Sequence, residues 1–314
     1  MGAAAREPAY LDLHRSGELR GRAARARERL SDCDLCARAC HCDRLRGISG
    51  AVCRTGERAR VHGFGPHFGE EDPLRGTHGS GTIFFSGCNL RCDFCQNWTI
   101  SQRGDGVEVT SEQLAAQMLE LQEAGCHNVN LVSPSHVVAQ VLAALEIAAG
   151  RGLVRPIVWN TGGYDSSEAL ELLDGVVDIY MPDMKFADPE TARRHAHVPD
   201  YPEVNRAAVK EMHRQVGDLV LDEGGIAVRG LLVRHLVLPN GLAGTEEVLQ
   251  FLSREISPDT YLNLMDQYHP DYKADGMEVL SRRLTREEWH EALDLATRYG
   301  LGRLDGRRRR WAPV

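Results

Sequence analysis

From residue 82 onward the chain repeats one pattern: a short apolar run, a polar turn, then an amphipathic stretch. Apolar runs at 82–86, 128–133, 157–160, 176–181, 231–238 and 261–265 have the length of strands, and the segments between them carry helical periodicity. Strand, turn and helix in that order predict a parallel sheet covered by helices. Six such strands predict an α/β fold, a partial (β/α)6 TIM-like barrel. Three helices have legible starts: Thr110 with Gln113, Asp165 with Glu168, and Thr285 with Glu288 each set a capping side chain three residues before a group that can answer it. Gly125 and Gly300 stand where a glycine ends a helix. Leu114, Met118 and Leu121 share one helical face and read as core.

The pattern is different before residue 82. Residues 1–31 are rich in Arg and Ala, with few large apolar residues, and form a leader, helical or disordered. Residues 32–75 make a cysteine-rich extension and loop, and the Gly- and His-rich stretch 62–81 predicts a loop into the first strand. The repeating core spans 76–300, and 301–314 is a basic tail whose arginines at 307–310 beside Trp311 read as solvated.

A chain of 314 residues fits one large domain with an appendage, or two modest ones. Its formal charge of −8 argues against a general nucleic-acid binder. No apolar run approaches the ~18 residues of a membrane span. The leader lacks the apolar core of a secretory signal and carries Glu7, Asp12, Glu18 and Glu28, which a transit peptide avoids, so the expected location is cytoplasmic. Eight of the nine cysteines fall between Cys33 and Cys95, which in such a chain favours metal or cluster ligation over disulfides.

Cys88, Cys92 and Cys95 form a C-x3-C-x2-C triplet directly after the first predicted strand, where parallel α/β folds gather their ligands. Three thiolates on an iron-sulfur cube leave one iron open to a small molecule, whereas electron carriers are closed by four. Structural zinc usually draws ligands as two separated pairs, and plant ferredoxins use a different spacing. Upstream, Cys33, Cys36, Cys40 and Cys53 are four soft ligands for zinc or a second cluster, with free thiols the remaining reading; Cys42 is a rival to Cys40. Cys126 reads as a buried thiol.

The other strand ends offer polar groups. The second ends in Ser133-Pro134-Ser135-His136, where Ser135 is either a ligand contact or a helix cap. The third ends in Asn160-Thr161-Gly162-Gly163-Tyr164, a turn small enough for a ligand to approach closely, or simply a tight turn. After the fourth, Asp183 and Lys185 share parity and point together into the barrel mouth, as an ion pair or a ligand site. Arg234 and His235 are neighbours in the fifth strand, so at most one faces inward, and Arg234 is the expected anion or cofactor contact. Met265-Asp266-Gln267-Tyr268 can close a cavity. Glu70 and Glu71 read as solvated acids rather than substrate contacts.

With Phe94 before its last cysteine, the triplet resembles the signature of the radical S-adenosylmethionine (radical SAM) superfamily. Adding the run from Gly79 to Cys88, Phe94-Cys95-Gln96-Asn97, the Ser-Pro-Ser-His turn, Asp183-x-Lys185, and Arg234-His235 with Pro239, residues 33–300 resemble its pyruvate formate-lyase activating enzyme-like branch. The resemblance implies an oxidoreductase with a 4Fe-4S cluster at Cys88, Cys92 and Cys95, whose open iron chelates S-adenosyl-L-methionine. It implies reductive cleavage to a 5′-deoxyadenosyl radical that abstracts hydrogen, so no catalytic residue is expected beyond the cluster. Ser133, Ser135, His136, Asn160, Thr161, Asp183, Lys185 and Arg234 are the implied cofactor contacts. Where many members have Gly-Gly-Glu for the cofactor's amino group, this chain has Ser-Pro-Ser-His and lacks the Glu. Cys33, Cys36, Cys40 and Cys53 match an arrangement found in such relatives. Implied partners are an electron donor such as flavodoxin or ferredoxin and a glycyl-radical protein. The alternatives are radical modification of a small metabolite or peptide, or a non-catalytic iron-sulfur or zinc protein.

Overall fold

The computed structural model describes residues 7–306, so the arginine run at 307–310 and Trp311 lie outside the described residues. Nine strands occur among these residues: β1 (Ala59–His67), β2 (Ser80–Phe85), β3 (Val107–Val109), β4 (Val129–Val132), β5 (Ile157–Thr161), β6 (Ile179–Pro182), β7 (Val220–Leu221), β8 (Ala227–Leu236) and β9 (Tyr261–Met265). The six apolar runs correspond to β2, β4, β5, β6, β8 and β9, which pair in that order and all in parallel. The fold is therefore mixed α/β with a parallel-dominated sheet, a partial TIM-like core. β1 lies antiparallel on the free edge of β2 and carries β3, while β7 makes a short hairpin with β8.

Side-chain parity sorts the sheet into two faces. Ile83, Leu131, Trp159, Tyr180, Val233 and Leu264 join the main core with helix residues such as Leu114, Met118 and Leu142. Val158, Ile179, Met181, Leu232 and Tyr261 form a second cluster on the other face. Each such aliphatic side chain taken out of water contributes roughly 1.5–3 kcal/mol.

The helices are α1 (Tyr10–Ser16), α2 (Glu18–Glu28), α3 (Asp72–Arg75), α4 (Ser111–Glu123), α5 (Val138–Gly150), α6 (Ser167–Leu173), α7 (Pro189–His195), α8 (Tyr201–Val216), α9 (Thr245–Phe251) and α10 (Arg286–Arg298). Thr110–Gln113 and Thr285–Glu288 form capping boxes at α4 and α10. At α6 the cap differs from expectation: Ser166 accepts from the Ala169 N–H, while Asp165 is buried in the preceding turn. α5 is apolar nearly all round because it is packed on two sides, by α4 and by α2 of the leader. Tyr10 is fully buried in α1, its hydroxyl donating to the carbonyls of Leu153 and Arg155 at 3.1 Å each.

The stretch 62–81 is not all loop. Residues up to His67 belong to β1, where Gly63, Gly65 and Pro66 hide the apolar alternation and backbone pairing along β2 holds the strand. The following α3 packs Leu74 into the inner cluster and bridges the open side of the sheet. There Glu71 Oε1 accepts from Asn263 Nδ2 of β9 at 2.5 Å, and the Asp72 N–H donates to Asp305.

Candidate active site

The sequence directly after β2 must turn sharply, and Gly87 permits it. Its φ is +84°, and a Cβ there would sit 2.4 Å from the Cys53 carbonyl oxygen. The cysteine loop that follows is fixed at each step. The Leu90 N–H donates to Cys88 Sγ at 3.3 Å, Asn89 Nδ2 donates to the Tyr164 carbonyl at 2.7 Å, and Ser101 Oγ lies 3.1 Å from Cys95 Sγ. Asp93, buried between Cys92 and Phe94, is held by Lys273 at 2.9 Å and His197 at 3.0 Å. Burial pushes the Cys88 thiol up to about 11 and raises Cys92 as well. Deprotonation for ligation therefore falls to an incoming metal.

All three cysteines line one cavity of about 310 Å³ at the carboxyl ends of the parallel strands. Ser133 after β4, Asn160 and Thr161 of β5, Asp183 after β6 and Arg234 of β8 line the same cavity, with Lys185 beside them. Asp183 is its electrostatic hub. One carboxylate oxygen accepts from Arg234 Nε at 2.8 Å and the other from Lys185 Nζ at 2.5 Å. Burial alone would raise the Asp183 pKa, but the charges and hydrogen bonds of Arg234 and Lys185 outweigh it and hold it at about 2. Lys185 is raised: burial opposes its charge, and Asp183 with the Cys92 sulfur overcomes that. Tyr201 locks the backbone beneath, its hydroxyl bonding the carbonyls of Gly162 and Asp183 and accepting from the Lys185 N–H. Gly163 lets these layers meet, since a Cβ there would lie 2.3 Å from the Asp183 carbonyl oxygen.

The chain is 34% identical over 283 residues to an uncharacterized protein of Methanocaldococcus jannaschii, an alignment covering 88% of this chain and 77% of that one. The Radical SAM superfamily model matches residues 82–224, which include the cysteine loop and the ends of β2, β4, β5 and β6. The chain carries a radical SAM superfamily domain. Solved structures similar in fold include a radical SAM methyltransferase from Sphaerobacter thermophilus, at 15% identity and TM-score 0.44 over 70% of this chain and 64% of that one. Another is SuiB of Streptococcus suis bound to precursor peptide SuiA, at 13% identity and TM-score 0.46, covering 68% of this chain and 44% of that one. This chain thus spans less than two thirds of either solved chain.

A radical SAM domain implies a 4Fe-4S cluster and S-adenosylmethionine. The donor set fits them: three thiols converge on a cavity that also presents cationic and neutral hydrogen-bonding groups. Two expected contacts stand elsewhere. Ser135 Oγ is buried against Thr161 Oγ1 at 2.7 Å, and His136 Nε2 donates to the Ser86 carbonyl at 3.0 Å, so both brace the loops from behind. The cause is local: Ser133 adopts φ +57°, which breaks strand parity before them. Burial holds His136 near 3, hence neutral. Thr161 reaches the cavity, yet its hydroxyl donates to Asp165 at 2.6 Å. His235 points away, between the Met184 carbonyl and Thr245.

Glu70 and Glu71 are not solvated, being 7% and 0% exposed. Glu70 lines the cavity and accepts from His67 Nδ1 at 2.9 Å. Gln267 also lines it, and Tyr272 of the same loop stacks on Trp98 behind the cysteines, with ring centroids 5.5 Å apart. The Asp72-Pro73 helix start was the sequence signal that residues 70–75 are ordered. Among the described residues no helix is long and apolar enough to cross a membrane.

Proposed function

We propose that this protein cleaves S-adenosylmethionine reductively and uses the product to abstract hydrogen from a second substrate. The observation supporting this is the shared cavity of Cys88, Cys92, Cys95, Asp183, Lys185 and Arg234. When bound, the cluster supplies one electron to the sulfonium, and cleavage gives a 5′-deoxyadenosyl radical and methionine. The protein's residues bind, orient and exclude water. Lys185 and Arg234 offer cationic groups for the cofactor carboxylate, with Asp183 fixing both. Ser133 and Asn160 offer polar groups to its amino and ribose ends. Cys33, Cys36, Cys40 and Cys53 hold a second metal, zinc or iron-sulfur.

Two targets follow from the same cavity. An activating-enzyme role, with a backbone glycine of a glycyl-radical protein as target and a flavodoxin or ferredoxin as donor, rests on the branch resemblance. The second reading is a small metabolite or peptide, with Glu70 as a polar group in the cavity wall. Anaerobic reconstitution with iron, sulfide and dithionite tests the chemistry: 5′-deoxyadenosine and methionine are expected in equal amounts, and their absence refutes it. Deuterated candidate substrates then separate the targets by the label carried into 5′-deoxyadenosine.

A further inference from the structure

The cysteine-rich extension folds Cys33, Cys36, Cys40, Cys42 and Cys53 around one small cavity of about 10 Å³, with Arg44 in its wall. Arg44 is 2% exposed. Its guanidinium donates to the carbonyls of Thr55 at 2.7 Å and Gly56 at 3.3 Å, and to Cys33 Sγ at 3.4 Å. Among the described residues no carboxylate hydrogen-bonds it, and the side-chain atom it bonds is Cys33 Sγ. A buried charge without a counter-charge costs several kcal/mol. Neutral thiols do not offset that cost, whereas metal-held thiolates do.

Size narrows the choice of metal. The cavity has room for one atom-sized guest, against about 310 Å³ at Cys88, Cys92 and Cys95. Among the described residues no three potential ligands are already drawn into a closed set. Contacts also run from the extension to the cysteine loop: Arg38 Nε donates to the Asn89 carbonyl at 2.6 Å, and Arg91 Nη2 to the Val52 carbonyl at 2.5 Å.

We propose that Cys33, Cys36, Cys40 and Cys53 bind a single zinc-type ion in tetrahedral coordination, with Arg44 as the buried cation that offsets the thiolate charge. This deepens the second-metal reading above by choosing one ion over a cube, and it is independent of any reaction. The metal complex rigidifies the wall behind Gly87 and so positions Cys88.

The test uses the full chain carrying Cys92→Ala, which removes a ligand of the other site. Zinc, iron and sulfide are measured, and cobalt exchange reports geometry by visible absorption. One zinc or cobalt per chain with a tetrahedral thiolate spectrum is expected, kept in Cys42→Ser and lost in Cys36→Ser. Chelator competition on folded protein should show affinity reduced ~10–100-fold by Arg44→Met and less by Arg44→Lys. That competition also reads the unsubstituted chain, so a Cys36→Ser chain that fails to fold leaves the test intact. Iron with sulfide retained by the Cys92→Ala, Cys95→Ala double variant overturns the single-ion proposal alone. Absence of any metal overturns the second-site reading with it, and unchanged affinity in Arg44→Met removes the role of Arg44.

Discussion

Asp183 sits between two buried cations, and removing its charge leaves Lys185 and Arg234 facing each other. Asp183→Asn is therefore expected to destabilise the fold by about 3–5 kcal/mol, the cost of stranding a buried partner, and to abolish S-adenosylmethionine cleavage. Denaturant unfolding and product assay check the two effects. The pH dependence has a definite sign. With its folded pKa held at about 2, the carboxylate contributes stability fully above its ordinary range, and that contribution fades as pH falls from about 4 through 2. His235 titrates in another window. Burial lowers it to about 4, so the unfolded chain binds its proton first as pH falls below about 6.5. Between about pH 6 and 4 stability should fall with a slope approaching 1.4 kcal/mol per pH unit from this group. His235→Gln should reduce the measured slope by about that amount in urea titrations and leave the part due to buried His136, which titrates over the same range; an unchanged slope would contradict the buried neutral imidazole. Parity in extended chain was enough to bring Asp183, Lys185 and Arg234 together from sequence. Ser135 and His136 were singled out only by position after the second strand, and the left-handed Ser133 turns them behind the loops. Parity was silent on Glu70 and Glu71, which are held by His67 of β1 and Asn263 of β9 respectively.

At the scale of elements, the six parallel strands were readable because each is buried on both faces and so writes a continuous apolar run. β1 and β3 were not, since strands with Gly, Pro and exposed positions are held by backbone pairing rather than by buried side chains. The leader shows the same limit from the other side. α2 has a weak apolar stripe, yet Leu19 and Ala26 are fully buried because α5 offers it a second apolar face. Leu19→Ala should therefore cost about 2–5 kcal/mol, as in a true core, whereas a solvated leader would lose almost nothing. Thr110→Ala, which removes one half of the α4 capping box, should cost only about 1 kcal/mol. Thermal unfolding of the two variants side by side measures the difference, and equal shifts would mean that the leader is not part of the core.

For the whole molecule, the chemistry-bearing groups all lie at one end of the sheet, on loops whose backbones are tied together by Tyr201, Asn89 and Gly163. A ligand filling that cavity bridges the ends of β2, β4, β5, β6 and β8, and it should stabilise them jointly rather than one loop at a time. The opposite strand ends rest on the inner apolar cluster with Leu74, and α1 and α2 sit on the outer surface of α5, so neither gains a new contact from the ligand. Hydrogen–deuterium exchange of the cluster-loaded protein with and without S-adenosylmethionine should then show slowed exchange confined to the cysteine loop, the turns after β4 and β5, and the segment around Asp183. Lys185→Ala should weaken that protection, because the cation facing the cavity is removed while Arg234 still holds Asp183. Protection centred on α1 and α2, or unaltered by Lys185→Ala, would place the ligand away from these strand ends and remove the cavity from the reaction.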